Sequence, residues 1–530
     1  ILKAPPSLEL QIEAASAVFG KTEDRAKQIC KRTMELSISS LFITLLVICA
    51  ITVLVKSCIP NPYGQKFNPP PSPPGLPLLG HLHLIRQPIH RSLQSISVKY
   101  GKILSLRFGS RRVLLLSTHS AVQQCYTDHD LAFASRPTLL AGKYFNYDFT
   151  TVIVAPYGDL WRNLRRILNN ELFSSARLSK FAAVREAEIR ASVERIARCG
   201  NKGGKVMVEL KSRIHEATFN VMTMVTVGKR YYGGGVGNCE AEKFREAMRD
   251  VIDVSGWSNT GDFLPILQRV DLFGTGRRMA GLMKKMDKFL QELVDESREK
   301  LGEGKETAAI IDDLLSLQRE EPEFMTDKII KGIILVILTA GTNTTATTIE
   351  WAMALLLNHP EVMTKLRADI DAKVGQERLV NEQDLSNLDY LNHVIDETLR
   401  IYPPAPLLGP REASENCSVG GYDISKGTIL IANVWAIHRD PEVWENPTKF
   451  VPERFEEGLR NVWEEEGCKF VPFGGGRRGC PGATVASRVI GLVLGCLVQG
   501  FEWERIGEEA VDMTEAIGLT MPRVKPLEVM

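Results

Sequence analysis

A glycine-rich loop around one cysteine carries the clearest chemical signal in the sequence. The run Phe473-Gly-Gly-Gly-Arg-Arg-Gly-Cys-Pro-Gly482 surrounds Cys480 with residues too small to pack against it. Glycines allow backbone N–H groups to approach a ligand closely. Apolar residues 483–497 predict a helix directly after the loop, and its positive dipole end and nearby Arg478 favour a thiolate. The loop therefore predicts a cysteine that is either a metal ligand or a nucleophile.

The rest of the chain favours the metal ligand. A cysteine nucleophile needs a base, usually histidine, and none of the 9 histidines lies near Cys480 in sequence. The 10 cysteines in 530 residues are too sparse for a disulfide framework. Most of the others are therefore predicted to be small core residues.

This loop resembles the haem-binding loop of the cytochrome P450 monooxygenases. Phe473, Gly476, Arg478, Cys480 and Gly482 match its defined positions, and the resemblance extends over essentially all the chain from residue 36 onward. It implies that Cys480 is the axial thiolate of haem b iron and therefore the metal ligand. In this family the thiolate pushes electron density toward the iron and favours O–O cleavage.

Further motifs of the family imply donors for the haem propionates. Trp161-x-x-x-Arg165 offers an indole N–H and a guanidinium, both of which suit a carboxylate. The alternative for this motif is a surface tryptophan with a basic neighbour. Arg411 is a candidate by position, although plant relatives often have histidine there. With Phe473 and Arg478, these are the residues that the resemblance assigns to the cofactor.

The segment Ala340-Gly-Thr-Asn-Thr-Thr345 is similar to the oxygen-activation segment of the family. The resemblance implies that Gly341 lets the helix open beside the haem, and that Thr344 holds dioxygen and a proton-relaying water. The family usually has Asp or Glu where this chain has Asn343, and an amide cannot deliver a proton by ionising. This departure leaves open phenol coupling or other one-electron chemistry in place of ordinary hydroxylation.

A charge motif is expected to support the core behind the Cys480 loop. Glu397-Thr-Leu-Arg400 alone is weak, because such pairs are common on helix surfaces. The later run Pro452-Glu-Arg-Phe455 stands at the family's position, and its arginine is expected to join the pair. The motifs together predict a buried, fully paired charge network.

The elements that position these residues are predicted to be mainly helical. Apolar residues recur at helical spacing over 182–199, 207–227, 242–254, 279–300 and 360–374. Short strands are predicted at 103–108 and 113–117. Residues 327–358 predict one long helix; a membrane span is the rival interpretation, but its many threonines are costly in lipid. The fold class is mainly α with a minor β component, a single large haem domain of the cytochrome P450 fold behind a membrane anchor.

Residues 36–55 predict that anchor, because about twenty uncharged residues cross a bilayer. A buried helix or a cleaved signal peptide are the alternatives. Residues 1–33 are interpreted as a leader or an artefact, residues 56–80 as a stiff proline-rich hinge, and 81–530 as the catalytic domain. Without 1–33, Lys56 and Lys66 dominate the flanks and place the body in the cytosol. The prediction is a single-pass protein of the endoplasmic reticulum membrane.

The charge balance and the motifs limit which partners the chain can be expected to have. With 65 Lys and Arg against 64 Asp and Glu, nothing indicates a nucleic-acid binder. No dinucleotide-binding fingerprint follows a strand, so NADPH and flavins are expected only through a partner, NADPH–cytochrome P450 reductase. The candidates for a basic docking face are Arg162, Arg166, Lys469 and Arg477; they are equally well interpreted as solvated surface.

Finer motifs, including Tyr402-Pro-Pro-Ala-Pro406, resemble plant microsomal members, nearest to the isoflavone hydroxylases and methylenedioxy-bridge synthases. This implies O2-dependent oxidation of a small apolar, flavonoid-like plant metabolite. The alternatives are phenol coupling or ring closure without net oxygen insertion, terpenoid oxidation, and a catalytically silent haem- or sterol-binding membrane protein. Five stretches are expected to line the pocket, namely 135–155, 255–267, 335–348, 404–410 and 515–521. The first offers Tyr144, Phe145, Asn146, Tyr147 and Phe149, whose rings either stack on a flat substrate or pack on the body. In the fourth, Leu407 and Leu408 are expected to lie over the haem.

Overall fold

The computed structural model describes residues 40, 43, 44 and 47, and then 67–530 except 200–204, 234–238, 256–259, 265–266, 268–270, 272–273, 306–307, 457–467 and 519. Two compact units are distinguished, Ile1–Phe67 and Asn68–Met530. Residues 1–33 and nearly all of the predicted anchor lie outside the described residues, so both interpretations stay predictions.

Helices make up most of the second unit. In chain order they are α1 (Ile89–Tyr100), α2 (His119–Tyr126), α3 (Leu140–Phe145), α4 (Asp159–Arg166), α5 (Ser175–Lys180), α6 (Ala182–Cys199), α7 (Leu210–Val227), α8 (Cys239–Ser255), α9 (Thr260–Phe263), α10 (Thr275–Gly302), α11 (Ile310–Glu320), α12 (Asp327–Asn358), α13 (Pro360–Val374), α14 (Asp389–Ile401), α15 (Val434–Ile437) and α16 (Ala483–Gly500). The predicted bounds of α6, α12 and α13 are confirmed residue for residue. The helix predicted from 207 begins at Leu210, because Val208–Glu209 pairs as a strand.

The minor β component is built around a four-stranded sheet. The strands are β1 (Ile103–Phe108), β2 (Arg111–Leu116), β3 (Val208–Glu209), β4 (Arg411–Glu412), β5 (Cys417–Val419), β6 (Tyr422–Ile424), β7 (Ile429–Ala432) and β8 (Glu528–Val529). The main sheet has the order β1-β2-β7-β4, and β3 with β8 and β5 with β6 form separate pairs. The two predicted strands are confirmed as the antiparallel pair β1 and β2, with Ile103 opposite Leu116. The parallel partner β7 places Ile429 beside Val113.

Helix α12 is the element around which the body is packed. It ends where His359, with φ −128° and ψ 73°, precedes Pro360, because a residue before proline avoids the helical conformation. Pro360 then opens α13, where its missing N–H costs no hydrogen bond. Two described helices, α12 and α16, have the length and apolar composition of a membrane span, yet 72% and 56% of those segments are buried inside the body. The core interpretation of α12 is confirmed.

Two large apolar clusters flank α12. One packs its C-terminal half, including Ile349 and Leu356, against α6, α7, α13, α14 and α16. The other packs its N-terminal half, including Ile330 and Leu338, against α8, α10 and α11. The middle of α12 lies between these clusters, and this is the part that carries the predicted chemistry.

The described part of the predicted hinge packs on the sheet. Ser105 N donates to the Pro71 carbonyl at 2.9 Å, and His81 N donates to the Arg107 carbonyl at 2.6 Å. His81 Nε2 also lies 2.7 Å from the Pro73 carbonyl. Residues 68–80 therefore belong to the same compact unit as the helices and strands.

Candidate active site

The Cys480 loop is held in shape by a close approach to Asp130. Cys480 N donates to the Phe473 carbonyl at 2.9 Å and closes the loop. Gly476 has φ +58°, and a Cβ there would overlap Asp130 Oδ1. Arg477 N donates to both Asp130 carboxylate oxygens at 3.1 Å. The close contact with Asp130 therefore requires glycine at position 476. The same contact holds the part of the loop that precedes Cys480 in place.

Cys480 faces a cavity of about 340 Å³. Its side chain is accessible from that cavity, although protein atoms surround it closely. Burial raises the pKa of the Cys480 thiol, while the N–H of Gly482 and the guanidinium of Arg165 act in the opposite direction. Arg478, expected to favour the thiolate, is not among these groups. A bound metal cation is the kind of group that holds a buried cysteine as a thiolate.

Four guanidinium groups line the same cavity: Arg136, Arg165, Arg411 and Arg478. Arg478 Nη1 donates to the Val152 carbonyl at 3.1 Å, and its Nη2 donates to the Ala155 carbonyl at 2.6 Å. Burial and the neighbouring guanidinium groups lower the pKa of Arg478 to about 9. No Asp or Glu is among the described residues that line this cavity, although one of the four guanidinium groups, that of Arg411, lies 3.4 Å from Asp130 Oδ1 outside the lining.

Trp161 and Arg165 share one face of α4, as the four-residue spacing predicts. Trp161 is 4% exposed, which excludes the surface alternative, and its Nε1 donates to the Val152 carbonyl at 3.1 Å. The Arg478 guanidinium lies 4.5 Å from the centre of its ring. Arg165 Nη1 donates to the Gly479 carbonyl at 2.7 Å, next to Cys480. The structure thus brings both predicted donors to the Cys480 cavity.

These residues fit a haem. The excess of guanidinium groups in the cavity suits a group with two carboxylates. A single cysteine sulfur suits an iron that brings its other ligands in a macrocycle. Over the described part of the chain, no group of three or more His, Cys, Asp or Glu side chains is placed to hold a metal ion.

Helix α12 forms the wall of the cavity facing Cys480. Ala340, Gly341, Thr344 and Thr345 line it, and the Thr344 hydroxyl donates to the Ala340 carbonyl at 2.7 Å. The helix runs uninterrupted from Asp327 to Asn358, so the opening expected at Gly341 is absent. The absence of a side chain at Gly341 instead lets Met222 of α7 pack there, since a Cβ would overlap the Met222 methyl group.

Asn343 is the predicted catalytic residue that the structure does not bring to Cys480. It lines a larger cavity of about 970 Å³, which lacks Cys480 and which His215 of α7 also lines. Successive helical residues point about 100° apart, so Thr344 and Asn343 face different surroundings. The expectation that the amide changes proton delivery beside the haem therefore loses its structural basis.

The fourth predicted pocket stretch contributes only part of its residues. Pro404, Ala405 and Leu408 line the Cys480 cavity. Leu407 instead packs against the apolar cluster beneath β1 and β2. Leu408 has φ +52°, so the backbone turns at this residue and the two leucines point to different places.

Of the two interpretations of the aromatic residues in the first stretch, the structure supports packing on the body, since none of these residues lines the Cys480 cavity. Phe145 is 4% exposed and belongs to the core. Tyr147 donates to Asp287 Oδ1 at 2.8 Å, and the ring of Phe149 packs on Gly142. Tyr144 packs against the same core, and Asn146 accepts a hydrogen bond from Thr151 at 2.7 Å. This stretch reaches the cavity instead through Arg136, Val152 and Ile153.

The predicted charge network behind the loop is confirmed. Arg400 Nη2 donates to Glu397 Oε1 at 2.8 Å, and both side chains are 0% exposed. Arg454 Nε donates to the same Glu397 oxygen at 3.2 Å. Arg400 Nη1 donates to the His438 carbonyl at 2.6 Å. Val471 N in turn donates to His438 Nε2 at 3.0 Å. This hydrogen bond links the charge network to the segment that precedes the Cys480 loop.

Sequence analysis did not identify three residues that contribute to this site. Arg136 donates to the Pro410 carbonyl at 2.7 Å, Asp130 fixes the loop, and His438 joins the loop to α14. None of the three belongs to a spaced motif. Only Arg136 had a signal, because it lies inside the predicted stretch 135–155.

Comparison with known proteins agrees with this geometry. Residues 70–527 match the protein family described as Cytochrome P450. Cytochrome P450 81Q32 of Catharanthus roseus is 48% identical, over 88% of this chain and 91% of its own length. The isoflavone 3'-hydroxylase of Medicago truncatula is 43% identical, over 93% of this chain and 98% of its own. The (+)-piperitol/(+)-sesamin synthase CYP81Q2 of Sesamum radiatum is 44% identical, over 87% and 90%.

A solved structure of a zebra fish cytochrome P450 with progesterone has the same fold. Its TM-score is 0.71 at 24% sequence identity, covering 84% of this chain and 99% of that one. The fold, the cysteine loop and the extent of the sequence match agree, and the chain belongs to the cytochrome P450 family.

Proposed function

We propose that this chain, a haem-thiolate monooxygenase by its family, hydroxylates a small, apolar, aromatic plant metabolite of flavonoid type. The observation that carries the proposal is the Cys480 cavity. It is lined both by the sulfur and the guanidinium donors and by the small residues of α12. The relative named isoflavone 3'-hydroxylase supports this substrate class.

The residues divide the work of holding the cofactor. Cys480 would ligate the haem iron, and Arg165, Arg411 and Arg478, together with the Trp161 N–H that here donates to the Val152 carbonyl, would supply donors for its two carboxylates. When bound, haem with a thiolate ligand supplies the reductive activation of dioxygen. Phe473, half-buried and packed against the main core, lines the cavity beside the sulfur.

The residues of α12 bound the space for substrate and dioxygen. Ala340 and Gly341 have small side chains or none, so they leave room for a substrate on this side of the cavity. The Thr344 hydroxyl donates its proton to Ala340 and keeps its lone pairs, so it accepts a hydrogen bond from water or substrate at this wall. Leu408 and Val336 add apolar surface that disfavours water.

Ring closure is the second candidate reaction. The relative named (+)-piperitol/(+)-sesamin synthase supports it, at an identity similar to that of the hydroxylase. Phenol coupling has less support, because the residue that suggested it, Asn343, lines the other cavity.

Electrons are proposed to come from NADPH–cytochrome P450 reductase at the endoplasmic reticulum membrane. Arg162, Arg166 and Arg477, three of the four predicted docking cations, have side chains 52%, 46% and 47% exposed. Arg162 and Arg477 lie 5.5 and 6.0 Å from the ring centre of Tyr157, so they share one surface. Residues 36–55 are proposed as the single membrane anchor.

Turnover with isotopically labelled dioxygen tests the proposal. The full chain is reconstituted with a plant reductase and given an isoflavone, a lignan with a free phenol and methoxyl group, and a terpenoid. We expect an isoflavone product with one labelled oxygen. A ring-closed lignan product without label would favour the second candidate. Turnover of the terpenoid alone would refute the aromatic substrate class. Cys480→Ala protein is the control for haem-independent oxidation.

A further inference from the structure

Three successive residues in the segment between α3 and α4 have an unusual backbone conformation. Tyr147, Asp148 and Phe149 have φ values of +48°, +57° and +60°. This left-handed region is unfavourable for residues with a side chain, which adopt it singly rather than in runs. A strained conformation persists only where surrounding contacts hold it, and such conformations are found at functional sites. The contacts of this turn therefore bear on its function.

A carboxylate and a buried lysine from two other helices hold the turn. Tyr147 donates its phenol hydrogen to Asp287 Oδ1 of α10 at 2.8 Å, and Lys331 Nζ of α12 lies 2.6 Å from the same oxygen. Lys331 is 8% exposed, and its Nζ lies 5.7 Å from the centre of the Tyr147 ring. Burial first, and then Asp287, raise the pKa of Tyr147, so its phenol is a donor at neutral pH. One carboxylate oxygen thus ties the turn to α10 and α12.

The residues after the turn are bonded to it and packed on α12. The Thr150 hydroxyl donates to the Tyr147 carbonyl, and the Thr151 hydroxyl donates to Asn146 Oδ1, both at 2.7 Å. A Cβ at Gly332 of α12 would lie only 3.3 Å from Thr151 Cγ2. The positions of Thr150 and Thr151 therefore depend on the position of the turn.

Residues 152–155 come next, and their backbone carbonyls hold three donor groups of the Cys480 cavity. Arg478 donates to two of these carbonyls, and Trp161 and Arg136 donate to one each, at 2.6–3.1 Å. The N–H at the end of this segment donates to the Thr151 carbonyl at 2.8 Å. A continuous set of hydrogen bonds therefore leads from the turn to the groups that suit the haem carboxylates.

We propose that Tyr147, held by Asp287 and Lys331, is a positioning residue for the haem-binding donors of the Cys480 cavity. These three side chains lie outside the lining of that cavity, so they act through residues 150–155. Without the hydrogen bond from Tyr147, the strained turn is free to relax, and the carbonyls that hold the donors move with it. The inference rests on haem binding beside Cys480 and does not depend on the substrate.

Tyr147→Phe removes only the phenol hydroxyl and tests this role in the holoenzyme. The amides of Thr150, Val154 and Ala155 are bonded within the segment, and we expect them to exchange with deuterium at least about threefold faster in the variant. Haem release to apomyoglobin should be faster by a similar factor. The haem midpoint potential should become more negative, because cationic donors near the haem favour its reduced state.

Tyr390→Phe is the matched control, because Tyr390 makes the same kind of contact outside the cavity lining. Its hydroxyl donates to Glu453 Oε1 at 2.9 Å. Lys365 Nζ lies 2.7 Å from that oxygen and 4.1 Å from the centre of the Tyr390 ring. Both variants should lower the melting temperature, but only Tyr147→Phe should change haem release and the midpoint potential.

Two variants at Asp287, whose side chain is 41% exposed, give an independent test. Asp287→Asn keeps an oxygen that accepts from Tyr147 and should retain slow haem release, whereas Asp287→Ala should behave like Tyr147→Phe. The inference is overturned if Tyr147→Phe releases haem at the wild-type rate, or if Tyr390→Phe releases it as fast as Tyr147→Phe. Wild-type protein that holds no haem would overturn the proposed cofactor site together with this inference.

Discussion

The surroundings of Cys480 act on the pKa of its thiol in opposite directions. Burial raises the pKa of its thiol, and Arg165 with the Gly482 N–H lowers it. Glycines and a following helix could be read from the sequence as features of a ligand loop. The motif Trp161-x-x-x-Arg165 assigned Arg165 to the haem, but its effect on the sulfur itself could not be predicted, because the two residues are more than 300 positions apart and only the packing of α4 on the loop brings them together.

Arg165→Met is expected to weaken haem retention by about tenfold or more. The variant keeps the length of the side chain and removes a charged donor, and hydrogen bonds to charged groups are worth about 1.5–3 kcal/mol. Haem release to apomyoglobin measures the change. Arg198→Met is the control, because its side chain is 72% exposed on α6; equal haem loss in both variants would contradict the role of Arg165.

His438 is expected to make the fold sensitive to acid. Burial first, and then Arg400 and Arg439, lower the pKa of His438 to about 3. The unfolded chain takes up this proton near pH 6.5, whereas the folded chain does not, so stability is full above pH 6.5 and falls as pH drops toward about 3. One such group contributes a slope of about 1.4 kcal/mol per pH unit.

Urea unfolding of wild type and His438→Gln between pH 7 and 4 measures that slope. The variant should lose less stability on acidification than wild type, although it is less stable at pH 7. His83→Gln, at an exposed position, should follow wild type. Parallel pH profiles for wild type and His438→Gln would show that His438 is not responsible.

Single side-chain directions were the least predictable feature at this scale. Asn343 and Thr344 are adjacent in one motif, yet they line different cavities. Leu407 and Leu408 likewise separate at a residue with positive φ. Direction depends on which neighbouring element covers each face, and no pattern within the segment itself reports that.

Helix α14 carries a charge network whose central pair, Glu397 and Arg400, has no solvent contact. Glu397 pairs with Arg400 and Arg454, and Arg400 also holds the His438 carbonyl. Removing one partner of such a group leaves buried charge uncompensated, which typically costs about 3–5 kcal/mol.

Glu397→Gln is therefore expected to lower the free energy of unfolding by about 3–5 kcal/mol. Denaturant unfolding followed by circular dichroism gives this value. Glu194→Gln is the matched control, because its pair with Arg198 is more than half exposed and such pairs contribute about 0–1 kcal/mol. If Glu397→Gln lowers the free energy of unfolding by less than about 1 kcal/mol, the network does not stabilise the fold more than an exposed ion pair does.

Long helices and the six-residue strands β1 and β2 were predictable, and strands of two to four residues were not. The bounds of α6, α12 and α13 follow from apolar spacing and from breakers such as Pro360. Strands of two to four residues, such as β4 and β7, contain too few positions for a period to show. The pairing of β7 with β2 also joins parts of the chain about 300 residues apart, and β4 enters the sheet only through β7.

For the molecule as a whole, the sequence motifs predicted the family and the Cys480 site, and the packing adds a second cavity behind α12. The apolar average of α12 alone does not distinguish a core helix from a membrane span. Its burial between two apolar clusters does. The same helix presents one face to each cavity, which explains why it carries so many threonines on several sides.

The most direct test of the central claim, that Cys480 is the axial ligand of a haem, is the reduced carbon-monoxide difference spectrum of the full chain. We expect the band position of thiolate-ligated haem in wild type and in Cys199→Ala, a control at an exposed cysteine. Cys480→His should lose that band, either through loss of haem or through a shift to the histidine-ligated position. A thiolate-type band that persists in Cys480→His would contradict the account.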